Sequence, residues 1–166
     1  MPGHGRTLVD THKELPTVTA SDAELEWDLA PFKALADAPM AMTGHLVFTA
    51  WDADHPATQS PFVIERIIRQ RIGFEGLLLT DDLDMEALSG TVPERAEVAV
   101  AAGCDLALNC WGRMDDMTGI ASRLPVMGPT TAARLERALA VTRVDSAGGQ
   151  QAELLAKRDA LLGLLA

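Results

Sequence analysis

The chain has 166 residues and a formal net charge of −10, with 48 % hydrophobic and 23 % charged residues, the balance of one globular domain with enough apolar material for a core. The acidity argues against nucleic acid and against an anionic membrane surface as partners. No apolar run reaches the ~20 residues of a membrane span and the first residues lack the pattern of a secretory signal, so a cytoplasmic location is expected.

The opening stretch Pro2-Gly3-His4-Gly5-Arg6-Thr7-Leu8-Val9-Asp10-Thr11-His12 holds two glycines, two histidines and an aspartate, with almost no apolar surface. A segment that cannot pack is a loop, and a loop rich in titratable groups is a site candidate. The spacing of Asp10 and His12 puts a carboxylate within reach of one ring nitrogen and leaves the other for chemistry. Taken singly, such residues are more often solvated or structural. His4, Asp10 and His12 are also plausible metal ligands.

After Leu15-Pro16, a helix is expected from Ser21 or Asp22, with Glu24 in its first turn and Leu25, Leu29, Phe32 and Leu35 on one face. Pro31 should kink or split it. A strand over Met40-Ala41-Met42-Thr43, running to His45, leads into a long loop, Gly44 to Ser60, that carries His45, Trp51, Asp52, Asp54 and His55. Ser60-Pro61 opens a second helix with Val63, Ile64, Ile67 and Ile68 inward, ending at Ile72-Gly73. The apolar run Gly76 to Thr80 suits a parallel strand buried on both faces, and Asp81, Asp82 and Asp84 follow it. Pro93 opens a helix with Ala96, Val98, Ala99 and Ala102, stopped by Gly103. Cys104 to Cys110 reads as the next buried strand, its two cysteines as buried free thiols rather than a disulfide. From Thr130 the tail is helical: Leu135, Leu139 and Val141 lie in one piece, Leu154, Leu155, Leu161 and Leu162 in another, with a hinge at Ser146-Ala147-Gly148-Gly149. Its apolar stripe should face the core. Strands alternating with helices in this way mean an α/β fold with a parallel sheet.

Two motifs are more specific than their parts. Pro2-Gly3-His4-Gly5 followed by Asp10-Thr11-His12 resembles the catalytic loop of glycoside hydrolase family 3, in particular its β-N-acetylhexosaminidases, where a Lys-His pair precedes the motif and Asp-Ser-His closes it. Phe74-x-Gly76-Leu77-Leu78-Leu79-Thr80-Asp81-Asp82-Leu83-x-Met85 resembles the nucleophile segment of the same family. The resemblance implies a retaining glycoside hydrolase that releases terminal N-acetylglucosamine from muropeptide-like saccharides, as in peptidoglycan recycling, with no cofactor and a small saccharide as partner. It makes Asp81 the nucleophile and His12 the proton donor, with Asp10 orienting it. It places His45, in Met-Thr-Gly-His, either at the border of the sugar pocket or, with equal weight, in a structural role, and has His4 shape its own loop; both are candidate substrate-binding residues. Trp51 and Trp111 could stack on a sugar face, with packing the favoured reading.

By the same resemblance the fold is a partial (β/α)8 TIM barrel whose strands correspond to strands six to eight, since such a barrel needs eight strands and about 250 residues. Residues 1–145 are then the carboxy-terminal part of the barrel and 146–166 a terminal helix. Met1 is expected to be an internal methionine of a longer ancestor, without the Lys-His pair and the amino-terminal half. Open sheet edges should then promote self-association. The loop carrying Asp10 and His12 should lack an anchor, which leaves the isolated chain inactive. A family 3 β-glucosidase, a metal-binding module on His4, Asp10 and His12, and a catalytically dead remnant are the alternatives.

Overall fold

The computed structural model describes residues 1–142 and 148–163. Serine or threonine followed by glutamate three positions on decides where two helices begin. The N–H and hydroxyl of Ser21 donate to the Glu24 carboxylate at 2.9 and 2.6 Å, and Thr91 does the same with Glu94 at 2.9 and 2.8 Å. These capping boxes open α1 (Asp22–Ala34) and α2 (Val92–Ala102). Pro31 lies inside α1 without splitting it, which removes one of the two outcomes expected from the sequence. Proline removes the bond to the Trp27 carbonyl, and Trp27 is 82 % exposed, so solvent is at hand for the orphaned group.

Ser60 caps the next helix, its hydroxyl accepting the N–H of Val63 at 3.1 Å. This helix, Val63–Ile72, is wound at the wider π spacing and buries Val63, Ile64, Ile67, Ile68 and Ile72. Gly73 ends it at a φ of 82°, a left-handed conformation that glycine adopts without strain.

Among the described residues the paired strands run parallel. β1 (Thr17–Val18) pairs with β3 (Val47–Phe48), and a second sheet has the order β2 (Met40–Met42), β4 (Leu77–Asp82), β5 (Leu106–Leu108). Met40 and Met42 sit beside Leu77 and Leu79, and Leu79 beside Leu106. The chain thus has an α/β fold in which helices connect parallel strands. The main core joins Leu25 and Leu29 of α1, Phe48, the inward face of the π-helix, Phe74 and Leu78. A smaller cluster holds Leu83, Leu88, Val92 and Ala96. At the amino-terminal end of the second sheet, the Asp105 carboxylate takes Arg69 at 2.7 Å, Arg134 and Thr131 at 2.9 Å each, and the Leu78 N–H at 2.9 Å.

Several expectations need correction. The stretch from Gly44 to Ser60 is not one loop, because β3 and a short 3-10 turn, Ala57–Gln59, organise it. Strands of two residues are too short for alternation to register. A helix the sequence reading did not foresee, α3 (Met114–Arg123), buries none of its residues. β5 spans three residues and is half-buried throughout, rather than a fully buried strand. Cys104 is buried as expected, with its thiol pushed up to about 12 by that burial, but Cys110 is exposed.

The tail also differs from expectation. In α4 (Pro129–Thr142), Ala138 is buried, while Leu139 and Val141 are exposed. In α5 (Gly148–Leu162), Leu154, Leu155, Leu161 and Leu162 are all exposed, so that stripe does not face the core. Ser146 and Ala147 of the expected hinge, and the boundary drawn at residues 145 and 146, lie outside the described residues. No helix among the described residues is long and apolar enough to cross a membrane.

Candidate active site

The carboxyl end of β4 is where the ladder breaks. Leu79 and Asp82 face Leu106 and Leu108, so β4 carries one residue more than β5 between the paired positions. Thr80 makes up the lost ladder bond: its hydroxyl, fully buried, accepts the N–H of Leu108 at 2.8 Å. Such a bulge re-aims a side chain at the end of a strand, and here it falls at Thr80 and Asp81. Simple alternation along β4 therefore does not decide where Asp81 and Asp82 point.

Hydrogen bonds separate the two aspartates. One Asp82 carboxylate oxygen accepts the N–H of Asp84 at 3.2 Å and of Cys110 at 3.1 Å, stitching the end of β4 to the end of β5. Asp81 accepts the N–H of Asp82 at 2.9 Å. Asp82 is thus committed to structure, and Asp81 is the carboxylate with capacity to spare. Sequence reasoning missed Thr80, whose signal was a hydroxyl at the last position of an otherwise apolar strand.

The opening loop reaches the same end of the sheet. Asp10 accepts both the His12 N–H at 3.0 Å and a contact from ring Nδ1 at 2.8 Å. Those two bonds, the backbone one first, hold the Asp10 carboxyl below its ordinary range. Since Nδ1 is spoken for, Nε2 is the ring nitrogen left for chemistry. The loop is not unanchored, as the sequence reading expected. The His12 carbonyl accepts the Glu86 N–H at 3.2 Å, the Met1 carbonyl accepts the Gly44 N–H at 2.8 Å, and the Met1 amine donates to the Met42 carbonyl. His12 is therefore tied to the segment that follows Asp81 and Asp82.

His4 packs against Gly44, where an added Cβ would come 2.6 Å from its ring. Burial and the positive amino terminus push its pKa down, while Asp81 pulls the other way, which puts His4 and Asp81 in one electrostatic neighbourhood. His45, expected at the border of the sugar pocket, has no exposed surface. Its Nε2 faces the Asp82 carbonyl at 3.0 Å and its Nδ1 the Thr58 hydroxyl at 2.8 Å. A carbonyl can only accept, so Nε2 carries the proton. Burial, the largest influence, lowers the His45 pKa, and the Thr58 hydroxyl that faces Nδ1 also donates to the Gly44 carbonyl at 3.1 Å. In this structure His45 is a clamp beneath the end of β4 and has no free nitrogen for a saccharide.

Trp51 also packs: its indole N–H donates to Asp22 at 2.6 Å and its ring stacks on Phe48 at 5.0 Å. His4 does not join Asp10 and His12 in a ligand set, since no group of three or more His, Cys, Asp or Glu among the described residues could hold a metal ion.

Residues 1–146 match the family model described as the glycosyl hydrolase family 3 N terminal domain. The chain belongs to glycosyl hydrolase family 3. A β-hexosaminidase of Chromobacterium violaceum is 39 % identical over 149 residues, which is 87 % of this chain and 42 % of that protein. One from Tolumonas auensis is 42 % identical over 118 residues, 68 % of this chain and 35 % of that protein. Among solved structures, NagZ of Neisseria gonorrhoeae in complex with N-trifluoroacetyl-D-glucosamine superposes with a TM-score of 0.70 at 33 % identity, over 91 % of this chain and 47 % of that one. A family 3 β-N-acetylglucosaminidase of Paenibacillus sp. gives 0.72 at 34 % identity, over 86 % of this chain and 29 % of that one. The chain thus spans less than half the length of each of these family 3 relatives.

Proposed function

We propose that this chain carries the catalytic loop and nucleophile of a retaining β-N-acetylhexosaminidase that releases terminal N-acetylglucosamine from saccharides. The observation that carries the reading is the bond between His12 and Glu86, which ties the loop carrying the Asp10–His12 pair to the segment that follows Asp81. The N-acetylated sugar bound by the Neisseria relative supports the substrate class. The muropeptide-like substrate, the role in peptidoglycan recycling and a cytoplasmic location complete the proposal.

In this mechanism Asp81 attacks the anomeric carbon while His12, protonated, hands its proton to the leaving oxygen. Asp10 stabilises the imidazolium and fixes its orientation through Nδ1. An imidazole titrates near neutrality, so it needs less tuning than a carboxylic acid to donate at pH 7. The neutral His12 then takes a proton from the water that resolves the glycosyl-enzyme. Thr80 and His45 hold the end of β4 in place beneath these groups.

The parallel order β2, β4, β5 supports reading these strands as strands six to eight of a (β/α)8 barrel, with active-site residues at the carboxyl ends. The outer strands of that sheet then have open edges, through which the chain self-associates. The deciding assay compares turnover of nitrophenyl N-acetyl-β-glucosaminide with nitrophenyl β-glucoside, in this chain and in a form preceded by the amino-terminal segment of a family 3 relative. Preference for the N-acetylated substrate is expected. Preference for the glucoside would favour the β-glucosidase instead.

A further inference from the structure

Beyond β5 the chain turns through Asn109-Cys110-Trp111-Gly112-Arg113, and the turn is pinned at both ends. The Cys110 N–H donates to the Asp82 carboxylate at 3.1 Å, and the Gly112 N–H donates to the Asn109 side-chain oxygen at 3.1 Å. Gly112 has a φ of 62°, which favours glycine there. The consequence is an indole held out in solvent: Trp111 is 73 % exposed. Leaving so large an aromatic uncovered forgoes considerable burial energy.

The ring is nonetheless braced. The Arg113 guanidinium lies over it at 5.9 Å and is itself held by Asp84 at 2.6 Å and Asp116 at 2.8 Å. A ring supported in this way on one face and open to solvent is a platform rather than a loose side chain. It stands one residue from Cys110, which is bonded to Asp82 and feels the charges of Asp81 and Asp84. Two polar atoms nearby, Asp84 Oδ2 and Asn109 Nδ2, are buried without a hydrogen-bond partner, and the Asp84 side chain is 3 % exposed. Unpaired buried polar atoms are uncommon and costly.

We propose that Trp111, braced by Arg113, is the stacking platform of a second saccharide subsite, taking the ring next to the one that Asp81 attacks. The inference rests on the glycosidase reading of Asp81 and deepens it by assigning the substrate at least two sugar rings. The apolar face of a pyranose lies flat on the indole.

The test titrates this chain with N-acetylglucosamine and with N,N′-diacetylchitobiose by calorimetry, with a thermal melt on each variant as a fold control. The disaccharide should bind about tenfold more tightly than the monosaccharide, the scale of one stacking contact. Trp111→Ala should collapse that ratio toward one, and Trp111→Phe should restore most of it. A ratio unchanged in Trp111→Ala, or no disaccharide advantage in the parent chain, overturns the subsite and leaves the glycosidase reading standing. Failure to bind either sugar overturns the subsite in this chain, and the glycosidase reading is decided separately by turnover in the form preceded by the family segment.

Discussion

The carbonyl of His12 accepts a hydrogen bond from the N–H of Glu86 at 3.2 Å. This single backbone bond connects the opening loop to the turn after β4, and so connects the Asp10–His12 pair to the aspartates. Glu86→Pro removes the donor without touching a side chain of the site. Amides of residues 11–14 should then exchange faster with solvent, while those of the π-helix keep their protection. Unchanged exchange in the loop would show that other contacts hold it.

Replacing the proposed nucleophile and acid should separate their roles, once turnover is established with the preceding family segment supplied. Asp81→Asn should abolish turnover, because no charged carboxylate remains to trap the anomeric centre. His12→Ala should slow substrates with poor leaving groups by about 10²–10⁴-fold and aryl glycosides much less, since an activated phenol leaves without a proton. Equal losses on both substrate types would refute His12 as the acid.

His45 gives the fold a pH dependence of predictable sign. Burial holds its pKa below the ordinary value, so in acid the unfolded chain binds more protons than the folded one. The clamp's contribution is complete above the unfolded pKa of ~6.5 and is lost as pH falls through the depressed folded value. His45→Gln should destabilise the fold at pH 7 by the ~1–3 kcal/mol that a broken buried hydrogen-bond set costs, read as a lower Tm. It should also flatten the dependence of Tm on pH between 7 and 5 (about the window set by that unfolded pKa).

Asp105 acts in a lower window. Burial pushes its carboxyl up, but the Leu78 N–H, Arg134 and Thr131 together outweigh that and leave the pKa below the ordinary value. Its stabilisation is therefore present above the unfolded pKa of ~3.9 and is lost on acidification through the folded one. Asp105→Asn strands Arg69 and Arg134 beside a neutral group and should cost about 3–5 kcal/mol, read by urea melts at neutral pH.

Self-association through the open sheet should show in light scattering behind a sizing column. Met40 and Met42 are 45 % and 41 % exposed on edge strand β2, which is apolar surface a second copy can cover. The expected species is a dimer or larger, and Met42→Lys should shift it toward monomer. A parent chain that is monomeric at high concentration would count against pairing by that edge.

Much of this protein was legible in its residues. Ser21 with Glu24, Pro93, and Ser60 before Pro61 mark helix starts because local backbone and hydrogen-bonding preferences decide them. The apolar run ending at Thr80 marks β4 because a strand buried on both faces must be continuous in apolar residues. Asp10 and His12 could be paired from a spacing of two, since that contact is local.

Tertiary structure decided the rest, where contacts join residues far apart in the chain. His45 became a buried clamp because Thr58 and the Asp82 carbonyl occupy both its nitrogens, which no local pattern reveals. The difference between Asp81 and Asp82 arises from a bulge against β5 and from the Cys110 N–H, both set by strand register. The two-residue strands β1 and β3 exist through each other, being too short to leave a periodic trace. Sequence determines local order through nearest-neighbour hydrogen bonds and the alternation of apolar residues. Which carboxylate is committed and which histidine is enclosed depends on the partners that folding brings to them.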